Sequence, residues 1–83
     1  MLLRKLQNGY TVIAEKPEEN NTSPVIGTIV LAVNSVDNQY AVWWYRVDDG
    51  TCFQGEYFPF FHYANESDQF EAASTAFLNR KGY

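Results

Sequence analysis

The sequence predicts an α+β fold, a twisted antiparallel β-sheet of four to five strands in meander order packed on one C-terminal α-helix. Three observations point there. Tight-turn dipeptides recur at Asn8-Gly9, Asp37-Asn38 and Asp49-Gly50, and they separate stretches rich in β-branched and aromatic residues. Ten of the fourteen aromatic residues fall between Tyr40 and Tyr63, among them the consecutive Trp43, Trp44 and Tyr45, which in a strand point to both faces of a sheet. Past Asn65 the apolar residues take helical spacing.

The first hairpin follows from Asn8-Gly9, because both residues tolerate the positive φ of a type I′ turn, and Tyr10 to Ala14 continues as its second strand. Lys16 to Pro24 has no apolar residue apart from its prolines and reads as a mobile loop. Val25 to Asn34 is a nearly continuous apolar strand, followed by strands at Tyr40 to Val47 and Cys52 to Phe58.

With two-residue turns at Asp37-Asn38 and Asp49-Gly50, Leu31 falls opposite Trp44, Val33 opposite Val42, Trp44 opposite Gly55 and Val42 opposite Tyr57. Ile29, Leu31, Val33, Tyr40, Val42, Trp44, Phe53 and Tyr57 then share the core face. Thr28, Val30, Ala32, Ala41, Trp43, Tyr45, Gln54, Glu56 and Phe58 share the other. A ring over the strand glycine Gly55 fits this pairing. A bulge in the Asp48-Asp49-Gly50 turn would exchange Phe53 and Tyr57 with Gln54 and Glu56.

Asn65 is placed to cap the helix, with Asp68 three residues on and acidic residues in the first turn. Phe70, Ala73, Phe77 and Leu78 form its apolar stripe. Arg80 and Lys81 suit its negative end, and Gly82 its stop. The helix is expected over the face carrying Leu31, Trp44 and Tyr57.

Eighty-three residues make a single domain, 1–83, near the size at which one core is marginal without a disulfide, metal or partner subunit. One cysteine rules out an internal disulfide, and the opening residues lack a signal peptide's apolar stretch. The expected compartment is therefore the cytoplasm, which leaves the sequons at Asn20, Asn21 and Asn65 as chance matches. No run approaches the ~20 apolar residues of a membrane helix. The net charge of −4 and pI near 4.7 give no attraction to nucleic-acid phosphate, so no nucleic acid is expected and basic partners are favoured.

No catalytic motif is evident. Cys52 and His62 permit a thiol-nucleophile reading oriented by Asp48 or Asp49, but no local signature accompanies them. One Cys and one His cannot make a structural zinc site, the acidic residues lack calcium-loop spacing, and there is no glycine-rich phosphate loop. Neither metal nor cofactor is expected. The candidate binding residues are Trp43 and Tyr45 as aromatic anchors on the face opposite the core, with Arg46, Asp48, Asp49, Gln54 and Glu56 setting polarity. They suit a non-enzymatic module that binds a protein with a basic surface. The alternatives are a homo-oligomer, such as a homodimer, that uses the same face for self-association, and a small Cys-dependent enzyme.

Leu6-x-Asn8-Gly9-Tyr10-Thr11-Val12-Ile13-Ala14, then Trp44, Val47-Asp48, Gly50-x-Cys52-Phe53-x-Gly55-x-Tyr57-Phe58 and a short helix, resembles small proteins of undefined activity carried by phages and mobile elements of gut Firmicutes. The chain departs from them in its longer loop from Lys16 to Pro24 and in Glu56, where an aromatic-flanked histidine is expected. The resemblance implies an accessory role, in which small acidic domains bind and inhibit a host protein, nucleases of antiviral defence included.

Overall fold

The protein is seen in a computed structural model that describes residues 4–6, 8–17 and 27–81. Most of the loop expected from Lys16 to Pro24, the first two residues of the strand expected from Val25, and Gly82 lie outside the described residues. Five antiparallel strands follow one another in sheet order: β1 (Arg4–Lys5), β2 (Thr11–Pro17), β3 (Gly27–Asn34), β4 (Gln39–Arg46) and β5 (Cys52–Pro59). A 3₁₀ turn, Phe60–His62, leads to α1 (Glu66–Asn79), the single α-helix among the described residues, which packs on β3, β4 and β5. The α+β meander with one C-terminal helix is thus the fold. Lys16 and Pro17 belong to β2 rather than to the loop.

The turns are longer than their dipeptides suggest. Lys5 pairs with Thr11 and the Leu6 N–H donates to Tyr10 O, so three residues rather than two lie inside the last hydrogen-bonded pair of the first hairpin, with Gly9 at φ 89°. Asn34 pairs with Gln39 across a four-residue loop. There the Asn34 side-chain oxygen accepts from the N–H groups of Val36 and Asp37, and Asn38 takes the left-handed conformation at φ 51°. Asn34 and Asn38 supply what the turn needs, so pairing begins two residues earlier than a two-residue Asp37-Asn38 turn dictates. Leu31 therefore faces Val42, and Ile29 faces Trp44. A slip of two preserves the face of every side chain.

Between β4 and β5 the register changes again, and here faces do change. Trp44 pairs with Phe53 and Val42 with Glu56, so Gln54 and Gly55 together oppose Trp43 in a β-bulge, with Gln54 at φ 55°. Phe53 stays on the core face as expected, but beyond the bulge the alternation inverts. Glu56 and Phe58 turn toward the helix, while Tyr57, expected in that core, lies opposite with Ala41. A second bulge in β2, where Val12 pairs with Ala32 and Ala14 with Leu31, inverts that strand too and brings Lys16 alongside Ile29.

Two cores result. Toward the helix, Ile29, Leu31, Val42, Trp44, Ala73 and Phe77 are buried together. Trp44 lies over Gly27, where an added Cβ would fall 2.0 Å from the indole. On the far side Tyr10, Val12, Val30, Ala32, Ala41 and Trp43 are buried as a second cluster.

The helix buries Gln69, Ala73 and Phe77, while Phe70 and Leu78, expected in its stripe, are exposed. The stripe is rotated by one position because Gln69 has a task an apolar residue cannot perform. Its Nε2 donates to Asn38 O and Phe58 O, both at 2.8 Å, and so pins the first half of α1 to the β3–β4 turn and the end of β5. The expected cap is present: Asn65 Oδ1 accepts from the Asp68 N–H at 2.8 Å. At the other end Lys16 Nζ donates to Leu78 O at 2.7 Å, a cation on the negative end of the helix. Arg80 Nη1 donates to Val42 O and Gln54 O, two carbonyls at the bulge, and lies 3.5 Å from Glu56.

Arg80→Ala leaves both carbonyls without this donor and is expected to cost about 1–3 kcal/mol in urea unfolding. Arg80→Lys, which keeps a donor but loses the fork, should fall between Ala and wild type.

Candidate functional site

The seven residues expected to form a binding face are divided by the bulge and the turn. Trp43 is only 4% exposed. Its ring meets Tyr10 edge-on at 4.8 Å and Tyr57 at 5.9 Å, and its indole N–H donates to the Tyr57 hydroxyl at 3.1 Å. It also lies over Gly55, the glycine expected under Trp44; an added Cβ there would fall 2.5 Å from its Nε1. Trp43 is therefore a core residue rather than an exposed anchor. Local patterning places its face correctly, but the face hides itself, because large rings cover one another and the small Ala32 and Ala41 between them.

Tyr45 is half-buried against this second core. With Asp48, Asp49, Lys5, Leu6 and Gly50 it lines a shallow cleft at the β4–β5 turn, so three of the expected seven residues come together there. Asp49 is engaged in the turn itself. The Thr51 hydroxyl and N–H donate to its carboxylate and, with Arg46 at 3.3 Å, hold its pKa below the ordinary carboxylate value. Arg46 also stacks on Phe53, 5.1 Å from the ring centre. Gln54 is exposed at the bulge, and Glu56 sits on the helix side with Arg80, away from Trp43 and Tyr45. Tyr45, Asp48 and Asp49 thus share the turn cleft, while Trp43 is buried and Glu56 lies on the helix side, so the seven do not form one surface.

Cys52 and His62 are not brought together. They flank opposite ends of β5, and Cys52 to Pro59 alone spans roughly 23 Å at ~3.3 Å per residue. Burial raises the Cys52 pKa, which favours the neutral thiol over the nucleophilic thiolate. Among the described residues no three His, Cys, Asp or Glu side chains converge on a metal-sized site. No helix among the described residues is long and apolar enough to cross a membrane.

The exposed rings lie elsewhere. Phe61 is 80% exposed and Phe60 37%, both in the 3₁₀ turn that joins β5 to α1, and Tyr57 at 54% precedes them on the edge strand. Phe61 meets His62 at 4.5 Å, and Tyr63 follows His62 at 6.5 Å, making a row of three rings. The helix that begins just beyond carries Glu66, Asp68 and Glu71 and no Lys or Arg from end to end. Three cations are engaged within the fold instead: Lys16 on Leu78 O, Arg46 on Asp49 and Phe53, and Arg80 on the bulge. The Phe60-Phe61-His62-Tyr63 run is conspicuous in the sequence, but it reads there as a connection from sheet to helix. Only the inversion of β5 and the burial of Trp43 make it the main outward aromatic feature among the described residues.

Comparison with known proteins found no match to a family model, a curated protein or a solved structure.

Two outcomes follow from the geometry. Trp43→Ala should cost about 3–5 kcal/mol and Phe61→Ala less than about 0.5 kcal/mol, as measured by denaturant unfolding. Burial raises the pKa of Tyr10, though its bond from Gln39 works the other way, and burial raises that of Cys52 as well. Both groups hold their protons more tightly folded than unfolded, so the linked stability is complete below about pH 9 and falls as pH rises through the folded values. Unfolding followed from pH 7 to 11 should show that loss, and Tyr10→Phe should reduce it.

Proposed function

We propose that the protein is a non-enzymatic, cytoplasmic protein-binding module whose partner presents a basic surface. The observation that carries this reading is the row of rings from Phe61 to Tyr63, with Phe61 80% exposed, set just before an acid-only helix. Exposed aromatic surface on a small domain marks contact sites, and large rigid rings supply contact energy at low entropic cost. A net charge of −4, with Lys16, Arg46 and Arg80 occupied internally, favours a cationic partner. The resemblance to phage and mobile-element proteins supports an accessory role in which the partner is a host protein and binding inhibits it. The separation of Cys52 from His62 and the raised thiol pKa support a non-enzymatic reading over a Cys-dependent one.

Photo-reactive amino acids at Tyr57, Phe61 and Glu71, activated in producing cells, test the reading. Adducts to a different protein support it. Adducts only between copies of the chain, with an elution volume that changes on dilution, would replace it with self-association through the same rings.

A further inference from the structure

We infer that the segment from Phe61 to Asp68 is an arginine-recognition ridge, taking guanidinium side chains of the partner's basic surface; this rests on the protein-binding reading above. Phe61 meets His62 nearly edge-on at 4.5 Å and 71°, and Tyr63 lies tilted against His62 at 6.5 Å; Phe61 and His62 are exposed, and a guanidinium plane stacks on an exposed ring. Two carboxylates, Glu66 and Asp68, follow within the first turn of α1, and both are exposed. Their two charges outweigh the roughly half unit of positive charge at a helix N-terminus, so the ridge stays net negative. Rings and carboxylates within eight consecutive residues suit a cation that both stacks and forks onto carboxylate oxygens. Arginine does both, whereas the lysine ammonium is a compact, strongly hydrated point charge. A further exposed acidic pair, Asp48 and Asp49, lies at the turn beyond the far end of β5, and Asp49 is already paired with Arg46.

The test is an NMR titration of the whole chain with two synthetic peptides of equal charge, one built on arginine and one on lysine. Shifts should concentrate on residues 61–68, the arginine peptide should bind more tightly, and Phe61→Ala should weaken it about two- to fivefold, the range of an exposed cation–π contact. Phe61 is exposed, so that variant should fold. Glu66→Gln with Asp68→Asn should also weaken binding. Shifts spread equally over Asp48, Asp49 and the helix, with no preference for arginine, would overturn the ridge as mere charge attraction, and so would absence of binding. If the ridge fails while photo-adducts to another protein still form from Tyr57 or Glu71, the protein-binding reading survives and only its placement falls.

Discussion

The structure depends on the β-bulge that sets Gln54 and Gly55 against Trp43. Without it the alternation of β5 would run unbroken, and Tyr57 would enter the helix-side core in place of Glu56 and Phe58. With it, a carboxylate is delivered to the helix side, where Arg80 meets it and also donates to the carbonyls of Val42 and Gln54. The bulge in β2 acts in the same sense. It turns Lys16 to the helix side, where the ammonium donates to Leu78 O in the last turn of α1 and lies over the Phe77 ring. Each bulge therefore gives up local ladder pairing and delivers one charged side chain to the C-terminal end of the helix. Gln69 performs the corresponding task at the other end, so the helix is held by polar contacts at both ends and by Ala73 and Phe77 between them.

The same inversion decides which rings are available to a partner. Trp43 gains Gly55 beneath it and Tyr57 beside it, and with Tyr10 it closes a second core on the face opposite α1. A chain of this size benefits from burying both faces of its sheet, because one small core contributes only a few kcal/mol net. The most exposed ring is Phe61, in the connection between β5 and α1, with Tyr57 on β5 and Phe70 on α1 each about half exposed.

Much of this is legible in the residues. The meander order, the Asn65 cap, the acidic first turn and the helix-side placement of Leu31, Val42, Trp44 and Phe53 follow from turn chemistry and period-two alternation. Even the two-residue slip between β3 and β4 leaves every face intact. What period alone cannot show is an inserted residue. Gln54 at φ 55° carries no sequence mark of a left-handed position, so the inversion beyond it, and with it the exchange of Tyr57 for Glu56 and Phe58, is invisible until the strands are paired. Gln69 is hidden for a related reason. Its burial is set by two carbonyls brought near by the β3–β4 turn and the end of β5, while its neighbour Phe70 has the better apolar credentials. The candidate anchors Trp43 and Tyr45 are legible as a face but not as a covered one, since Trp43 is shielded by Tyr10 and by Tyr57, which only the bulge brings to that side.

The most direct measurement is the set of NMR proximity effects from the two indole N–H protons. The bulged register predicts that the Trp43 indole proton contacts the Gly55 α-protons and the Tyr57 ring, while the Trp44 indole lies close to Gly27. Contacts from Trp44 to Gly55, with Tyr57 near Val42 and the helix, would mean an unbulged β5. They would contradict both the two-core arrangement and the exposed ridge that follows from it.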